Sequence, residues 1–414
     1  LASGKITQVT TDGKWNHIIN GSCDWVYEEE FSFTKAFAWS PDNRYIAYYR
    51  FDESAVKEFT MTNYTGELYP ENVTFKYPKV GMENSKVSIH IFDTKTKKKV
   101  DVDRTSDPDG YIPRIKWTND PSKLCVFWMN RHQNHLELLI ANSVSGKTTK
   151  LLQEENKYYI DIHDNLTFLQ DGQGFIWTSE QDGFNHIYLY DMSGSLKKQI
   201  TTGNWEVTSF YGVDEKNKAI YYQSASASPM EREIFSVGLD GVTKKQLHVD
   251  KGMNTAQFST TFDLFVLNHS TINSAPTYTV YDRKGKVVRV LENNEGVKAQ
   301  QDEAGAQPVE FFNFTTSEGV DLNGYMIKPA NFDATKKYPV FMTLYGGPGS
   351  QEVLDGWMGA DYWWYQSLAQ QGYIIACVDN RGTGGRGEEF KKMTYLQLGH
   401  FETIDQIEAA KYLG

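Results

Sequence analysis

The sequence predicts a mainly β fold built from repeated four-stranded units, followed by the opening of an α/β region in which strands alternate with helices. Three observations carry this expectation. A loose motif of aromatic strand, polar turn and second apolar strand recurs from Trp39 to about Glu295. Its second halves run into turns that contain Gly. After Asn293 the pattern changes from strands alone to strands separated by helical stretches.

The repeat starts at WSPDNRYIAYY (Trp39) and returns in IKWTNDPSKLCVFW (Ile115), LTFLQDGQGFIWT (Leu166), FYGVDEKNKAIYY (Phe210) and AQFSTTFDLFVLN (Ala256), roughly 45 residues apart from Ile115 onward. A period of about 40 to 50 residues per four-stranded unit is the signature of propeller blades. HLELLIANSVSGK, HIYLYDMSGS, EIFSVGLDGV and TYTVYDRKGK supply the matching strand and Gly turn of four units. An irregular β-sandwich is the alternative, and four aligned starts make it the weaker one. Between Trp39 and Trp117 the spacing nearly doubles. That interval holds an extra blade or one blade with an insertion, and the polar, Pro-punctuated stretch at about 57–81 favours the insertion.

These readings divide the chain into a β-propeller region at 1–295, a charged linker at 296–307 and the opening of a mostly parallel α/β domain at 308–414. In the last region VEFFNFTT, LNGYMIKP, YPVFMTLYG and YIIACVDN read as strands of a mostly parallel sheet. Helices are expected around Tyr362 to Gln371 and from about Phe401 to Leu413.

Bulk composition agrees and excludes several function classes. At 414 residues two domains are the default. The aromatic fraction of 14% and the 33 Gly suit many short strands joined by tight turns. With 42 basic against 53 acidic residues the net charge is -11, which argues against nucleic acid as a partner and favours a cationic ligand. Cys23, Cys125 and Cys377 are too few for a dense disulfide framework. No run of about 18 apolar residues exists to span a bilayer. Leu1 is not an initiator Met, so processing or trimming upstream is expected.

Three segments carry candidate chemistry. DWVYEEEF, Asp24 to Phe31, sets three carboxylates in a row between aromatic residues. A Glu run is ordinarily a solvated face, but Trp25, Tyr27, Phe31 and Phe33 are expected to draw at least one carboxylate out of bulk water. Carboxylates crowded in a partly buried site need a compensating cation, which a substrate ammonium would supply. YPVFMTLYGGPGS, Tyr338 to Ser350, is a strand that breaks into a Gly-rich turn. Such a turn often supplies an oxyanion donor, and Tyr345 at the strand end carries a hydroxyl suited to that role. VDNRGTGGRG, Val378 to Gly387, is Gly-rich but lacks a Lys-Ser/Thr pair and is read as not leading directly into a helix, so neither nucleotide fingerprint fits. Asp379 and Arg381 are expected to tie this loop together. The nine His show no metal spacing; His132 and His135 are expected on an exposed hairpin. No metal or cofactor is expected.

In order along the chain, DWVYEEEF, WSPD followed by IAY, FKYPKVG, TTGNWEV, YPVFMTLYGGPGSQ, VDNRGTGGRGEEF and LGHFETIDQIEAAKYL resemble the dipeptidyl peptidase IV branch of the prolyl oligopeptidase-type serine peptidases. The resemblance covers nearly the whole chain, and DWVYEEEF is its most specific element. It implies that Glu29 and Glu30 bind the free α-ammonium of a peptide, with Glu28 a neighbour, and that Tyr345 is the oxyanion tyrosine. It also implies an exopeptidase that releases X-Pro, less well X-Ala, dipeptides through an acyl-enzyme. Peptides with a free N-terminus and penultimate Pro are then the partners, a homodimer through the insertion is expected, and a periplasmic or secreted bacterial setting follows from the missing cysteine pairs.

The resemblance makes 1–295 a partial β-propeller and 308–414 the N-terminal part of an α/β-hydrolase domain, with the G-W-S-x-G-G elbow and the Ser, Asp and His of the triad expected beyond Gly414 and the first blades before Leu1. No G-x-S-x-G occurs in these residues, and Ser350 in GPGSQ is no substitute. These residues alone are therefore expected to be unable to hydrolyse peptides. A prolyl tripeptidyl peptidase-like exopeptidase and a non-catalytic propeller binding module are the alternatives; the double Glu at 29 and 30 speaks against the longer register.

Overall fold

A computed structural model of the chain describes residues 4, 6–103 and 109–414. Strands outnumber helices, and the strands assemble mainly into separate four-stranded antiparallel sheets. Two compact units divide the chain. One runs to Asp164 and adds 168–174 and 192–194; the other takes 165–167, 175–191 and everything from Ser195 onward.

Among the described residues the first unit holds two larger sheets and a two-stranded hairpin. The first sheet joins Ile18–Asn20, Phe37–Trp39, Tyr45–Asp52, Lys86–Asp93 and Lys99–Asp101. The second joins Tyr111–Trp117, Lys123–Met129, His135–Asn142 and Thr148–Glu155 in simple meander order. Its inner strand KLCVFWM is buried at six of seven positions, as a strand covered on both faces must be. The doubled interval in the repeat is one sheet with an insertion: hairpin Glu58–Asn63 with Glu71–Lys76 leaves after Asp52, and the chain rejoins the same sheet at Lys86. Helix α1 (Trp25–Phe31) sits between the first two strands in sequence and buries Tyr27 and Phe31 in the unit's core with Tyr49, Phe51, Ile89 and Ile112.

The second unit continues the repeat. Sheets begin at Thr167, Val207 and Met253, and the repeat starts read at Leu166, Phe210 and Ala256 fall on or beside their first strands. The Gly turns recur structurally as well: Gly146, Gly194, Gly241 and Gly285 close the last hairpin of four successive sheets with φ between 67° and 82°. A Cβ at Gly146, Gly194 or Gly285 would run into the backbone carbonyl of Asp101, Leu151 or Leu247, so Gly is needed at those turns, whereas the matching turn of the first sheet takes Lys97 at φ 60°. The sheets are propeller blades.

Residues read as a linker after Asn293 contain a helix, α2 (Glu295–Glu303), with no buried side chain. Its polar sequence suits helix as well as coil, and Gln301 ties it down by donating to the Asn273 carbonyl at 3.2 Å and the Tyr362 hydroxyl at 2.8 Å. Beyond it, Val309–Thr315, Asp321–Ile327, Ile374–Val378 and Val340–Thr343 pair in that spatial order. The expected mostly parallel sheet opens antiparallel: the first two pairings are antiparallel and only Val340–Thr343 with Ile374–Val378 is parallel. The turn after Thr315 is too short for a crossover, whereas α3 (Ala360–Gln370) supplies one between the parallel strands. VDNRGTGGRG does lead straight into a helix, α4 (Glu388–Lys392), contrary to the sequence reading; five residues are too few to show a helical period. Helix α5 (His400–Leu413) ends the described chain.

Candidate functional site

Glu29 and Glu30 lie in the last turn of α1, and the helix is fixed at both ends. Asp24 is the N-cap: its Oδ1 accepts a 3.0 Å hydrogen bond from the Tyr27 amide, satisfying one of the unpaired donors that every helix start presents. At the other end the Arg114 guanidinium donates to the Phe31 carbonyl at 2.8 Å and pairs with Asp164 at 2.6 Å. Ser32 then turns the chain out in left-handed conformation, φ 55°.

All three glutamates of the run are exposed. The expectation that flanking aromatics would draw one out of water is corrected by helical geometry. With 3.6 residues per turn, Tyr27 and Phe31 share the inward stripe and positions 28 to 30 sweep the rest of the circumference. The carboxylates are thus presented rather than buried, above an aromatic base in which Tyr27 meets Phe31 at 5.0 Å and Phe51 at 4.9 Å between ring centroids. Burial raises the Tyr111 phenol above its ordinary pKa, and the nearby charge of Glu30 adds to that rise.

Tyr345 belongs to the second unit. It lies two residues past the strand Val340–Thr343 and is 72% exposed, and Gly346 turns the chain with φ 71°. Ser350 donates to the Gly347 carbonyl at 2.7 Å, a role inside the turn. The loop at 380–387 braces this turn. Asn380, fully buried, donates to the Gly346 carbonyl at 3.1 Å; the Gly349 amide donates to Gly382 at 2.8 Å and the Gly384 amide to Ser350 at 2.9 Å.

Asp379 and Arg381 tie the loop, as read. Asp379 accepts from the amides of Glu352 and Val353 at 3.0 and 3.1 Å. Its burial outweighs those bonds and the field of Arg232, pushing its pKa up to about 6. Arg381 meets Asp405 through its Nη2 at 2.7 Å and its Nε at 3.0 Å, and its backbone amide donates to the same carboxylate at 2.7 Å. Both side chains are buried, so the pair is geometrically specific rather than a surface contact.

Sequence reading missed a second charge cluster in this unit. Glu180 receives Lys391 at 2.6 Å and Lys392 at 2.5 Å, with the Lys392 side chain 1% exposed. Glu206 is buried beside them; burial raises its pKa, while Lys391, Arg232 and a hydrogen bond from the Gly385 amide oppose the rise. Arg232 in turn donates to Gln351, whose Nε2 donates to Pro229 at 2.9 Å. Charges from three propeller loops, at Glu180, Glu206 and Arg232, therefore hold α4 and the two Gly-rich turns. Of these side chains only Glu206, in TTGNWEV, and Gln351, at the end of YPVFMTLYGGPGSQ, lay inside segments that the sequence had singled out.

Four-stranded blades followed by a strand–helix region, with a capped acidic helix and a tyrosine at a Gly-rich strand end, define a propeller chain leading into an α/β-hydrolase fold. Residues 1–276 match the family described as the dipeptidyl peptidase IV N-terminal region, and residues 360–414 match the prolyl oligopeptidase family. The first match spans two thirds of the chain, and the chain belongs to the dipeptidyl peptidase IV family. Among its relatives is a probable dipeptidyl peptidase 4 of Arthroderma benhamiae, 32% identical over 99% of this chain and 55% of its own length. The crystal structure of Porphyromonas gingivalis dipeptidyl peptidase 4 superposes with a TM-score of 0.94 at 42% identity, covering 99% of this chain and 58% of that one. A putative dipeptidyl aminopeptidase IV from Bacteroides ovatus gives 0.86 at 28% identity, covering 98% and 59%. The chain thus spans little more than half the length of the relatives it matches.

Proposed function

We propose that these residues are the substrate-anchoring part of a serine exopeptidase that releases X-Pro, less well X-Ala, dipeptides from free N-termini through an acyl-enzyme. The observation that carries this reading is the pair Glu29 and Glu30, both solvent-facing on a short helix that is capped, pinned and backed by aromatic rings. Two carboxylates facing outward on a fixed frame suit one ammonium, since charge-assisted hydrogen bonds contribute about twice what neutral ones do. An anchor at a set distance from the reacting carbonyl selects a dipeptide over an internal bond.

Tyr345 is assigned the oxyanion: its exposed hydroxyl at the strand end is free to meet the charge that develops on the carbonyl oxygen. No G-x-S-x-G occurs in these residues, and the proposal takes the Ser, Asp and His of the triad from the further length that the relatives have. A periplasmic or secreted bacterial setting is part of the same reading, tested by fractionating cells; recovery in the cytoplasmic fraction would count against it. So is a homodimer through the hairpin at 58–76.

The test is mass spectrometry of products when the whole protein meets a peptide with Pro at its second position, alongside labelling by a serine-directed phosphonate. Release of the X-Pro dipeptide with phosphonate labelling is expected. Tripeptides or internal fragments as first products would contradict the register.

A further inference from the structure

Both proposed anchor carboxylates ride on a helix of seven residues, so the seating of that helix decides where they lie. So short a helix has no stability of its own in water; its contacts hold it. One side chain fixes the first turn in two directions. Asp24 enters the helix extended, with φ -85° and ψ 177°, and caps Tyr27 through Oδ1. Its other oxygen accepts from the Ser85 hydroxyl at 2.6 Å. Asp24 is only 7% exposed, so water competes weakly for either bond. The next residue, Trp25, lies against Tyr77 with 4.4 Å between ring centroids. Residues 77–85 are the return leg of the insertion, which rejoins the first sheet at Lys86. Cap and stack therefore seat α1 on that leg.

We infer that Asp24 is the positioning residue of the amine anchor: it locks the first turn of α1 onto Ser85 and thereby sets the direction in which Glu29 and Glu30 meet a substrate ammonium. This rests on the anchor role proposed for those two glutamates. It assigns Asp24 no contact with substrate. Its loss lets the first turn fray, and the carboxylates then spend less time in register.

The test uses the whole enzyme with a free-amine X-Pro substrate and, separately, a small phosphonate that reports the serine without using the anchor. Asp24→Ala is expected to raise KM about tenfold, the size of an N-cap loss, with kcat and the phosphonate rate unchanged. Asp24→Asn keeps an acceptor for the Tyr27 amide and is expected to recover KM to within about threefold. An unchanged KM in folded Asp24→Ala overturns the inference. So does a matching loss in Asp24→Asn, or a phosphonate rate that falls in step with peptide turnover, since either marks a general defect. Where Asp24→Ala does not accumulate, Ser85→Ala carries the test, with a KM rise of about threefold expected and no rise overturning the assignment. Glu29→Ala and Glu30→Ala run alongside. If they leave KM alone, the anchor reading itself fails; if they raise it and the Asp24 and Ser85 variants do not, only the positioning role fails.

Discussion

The phenolic oxygen of Tyr27 accepts a 2.9 Å hydrogen bond from the backbone amide of Ile112, joining α1 to the first strand of the next sheet across 85 positions of sequence. Tyr27 is 2% exposed and its ring is the hub of the aromatic base beneath the acidic run. Tyr27→Phe keeps the ring and strands the amide, and a buried donor without an acceptor costs about 1 to 3 kcal/mol. The urea midpoint is expected to fall accordingly with the slope unchanged; an unmoved midpoint would assign the bond no net value.

Gly347 lies under the Tyr345 ring so closely that an added Cβ would stand 2.6 Å from Cε1. Its φ is not in the left-handed region, so Ala is tolerated by the backbone and the exposed ring must move instead. In the whole enzyme Gly347→Ala is expected to lower kcat on the order of ten- to a hundredfold, because the Tyr345 hydroxyl proposed to meet the oxyanion leaves its place. The melting temperature should hold. Unchanged kcat would remove Tyr345 from the oxyanion role or show that the ring has room to return.

Asp379 gives the fold a pH signature. Its folded-state pKa of about 6 stands above the 3.8 of a free carboxyl, chiefly through burial. A raised pKa means that the folded state holds the proton more tightly. The stability it contributes is therefore full below about pH 4 and is lost as pH rises through 6. The loss is on the order of 3 kcal/mol across that window. The difference in melting temperature between wild type and Asp379→Asn is expected to shift against the wild type from pH 4 to pH 7. A difference that stays flat would show that Asp379 is ionised throughout.

On the hairpin at 58–76, Met61, Tyr64, Leu68 and Tyr69 are 55% to 90% exposed on an otherwise polar arm. Apolar side chains displayed together mark an association surface. Removing the hairpin is expected to lower the sedimentation coefficient of the whole protein from that of the proposed homodimer to that of a monomer; the same coefficient in both would exclude the arm as a dimer contact.

What the sequence made legible was what repeats or turns locally. Blade starts at Ile115, Phe210 and Ala256 recur because each unit rebuilds the same strand pairings, and Gly146 or Gly285 mark turns where a Cβ would run into a neighbouring backbone carbonyl. Glu180 and Lys391 are paired across 211 positions, and no period or spacing encodes such a pair. Arg381 was read correctly as a loop tie, but its partner Asp405 lies in a helix whose sequence pattern marks only helix. The acidic run misled for a related reason. Aromatic neighbours in sequence pointed to burial of the carboxylates, while the helical period turned Tyr27 and Phe31 inward and all three glutamates outward.

The amine anchor is tested most directly by the ratio of kcat/KM for a free-amine X-Pro substrate to that for its N-acetylated form, measured on the whole enzyme and on Glu29→Ala and Glu30→Ala. Each carboxylate–ammonium bond contributes about 1.5 to 3 kcal/mol, so the ratio should be large in the unmodified enzyme and fall roughly 10- to 150-fold in either variant. The phosphonate rate should remain. Equal cleavage of free and acetylated substrates by the unmodified enzyme would contradict the account and return Glu28, Glu29 and Glu30 to a solvated acidic helix face.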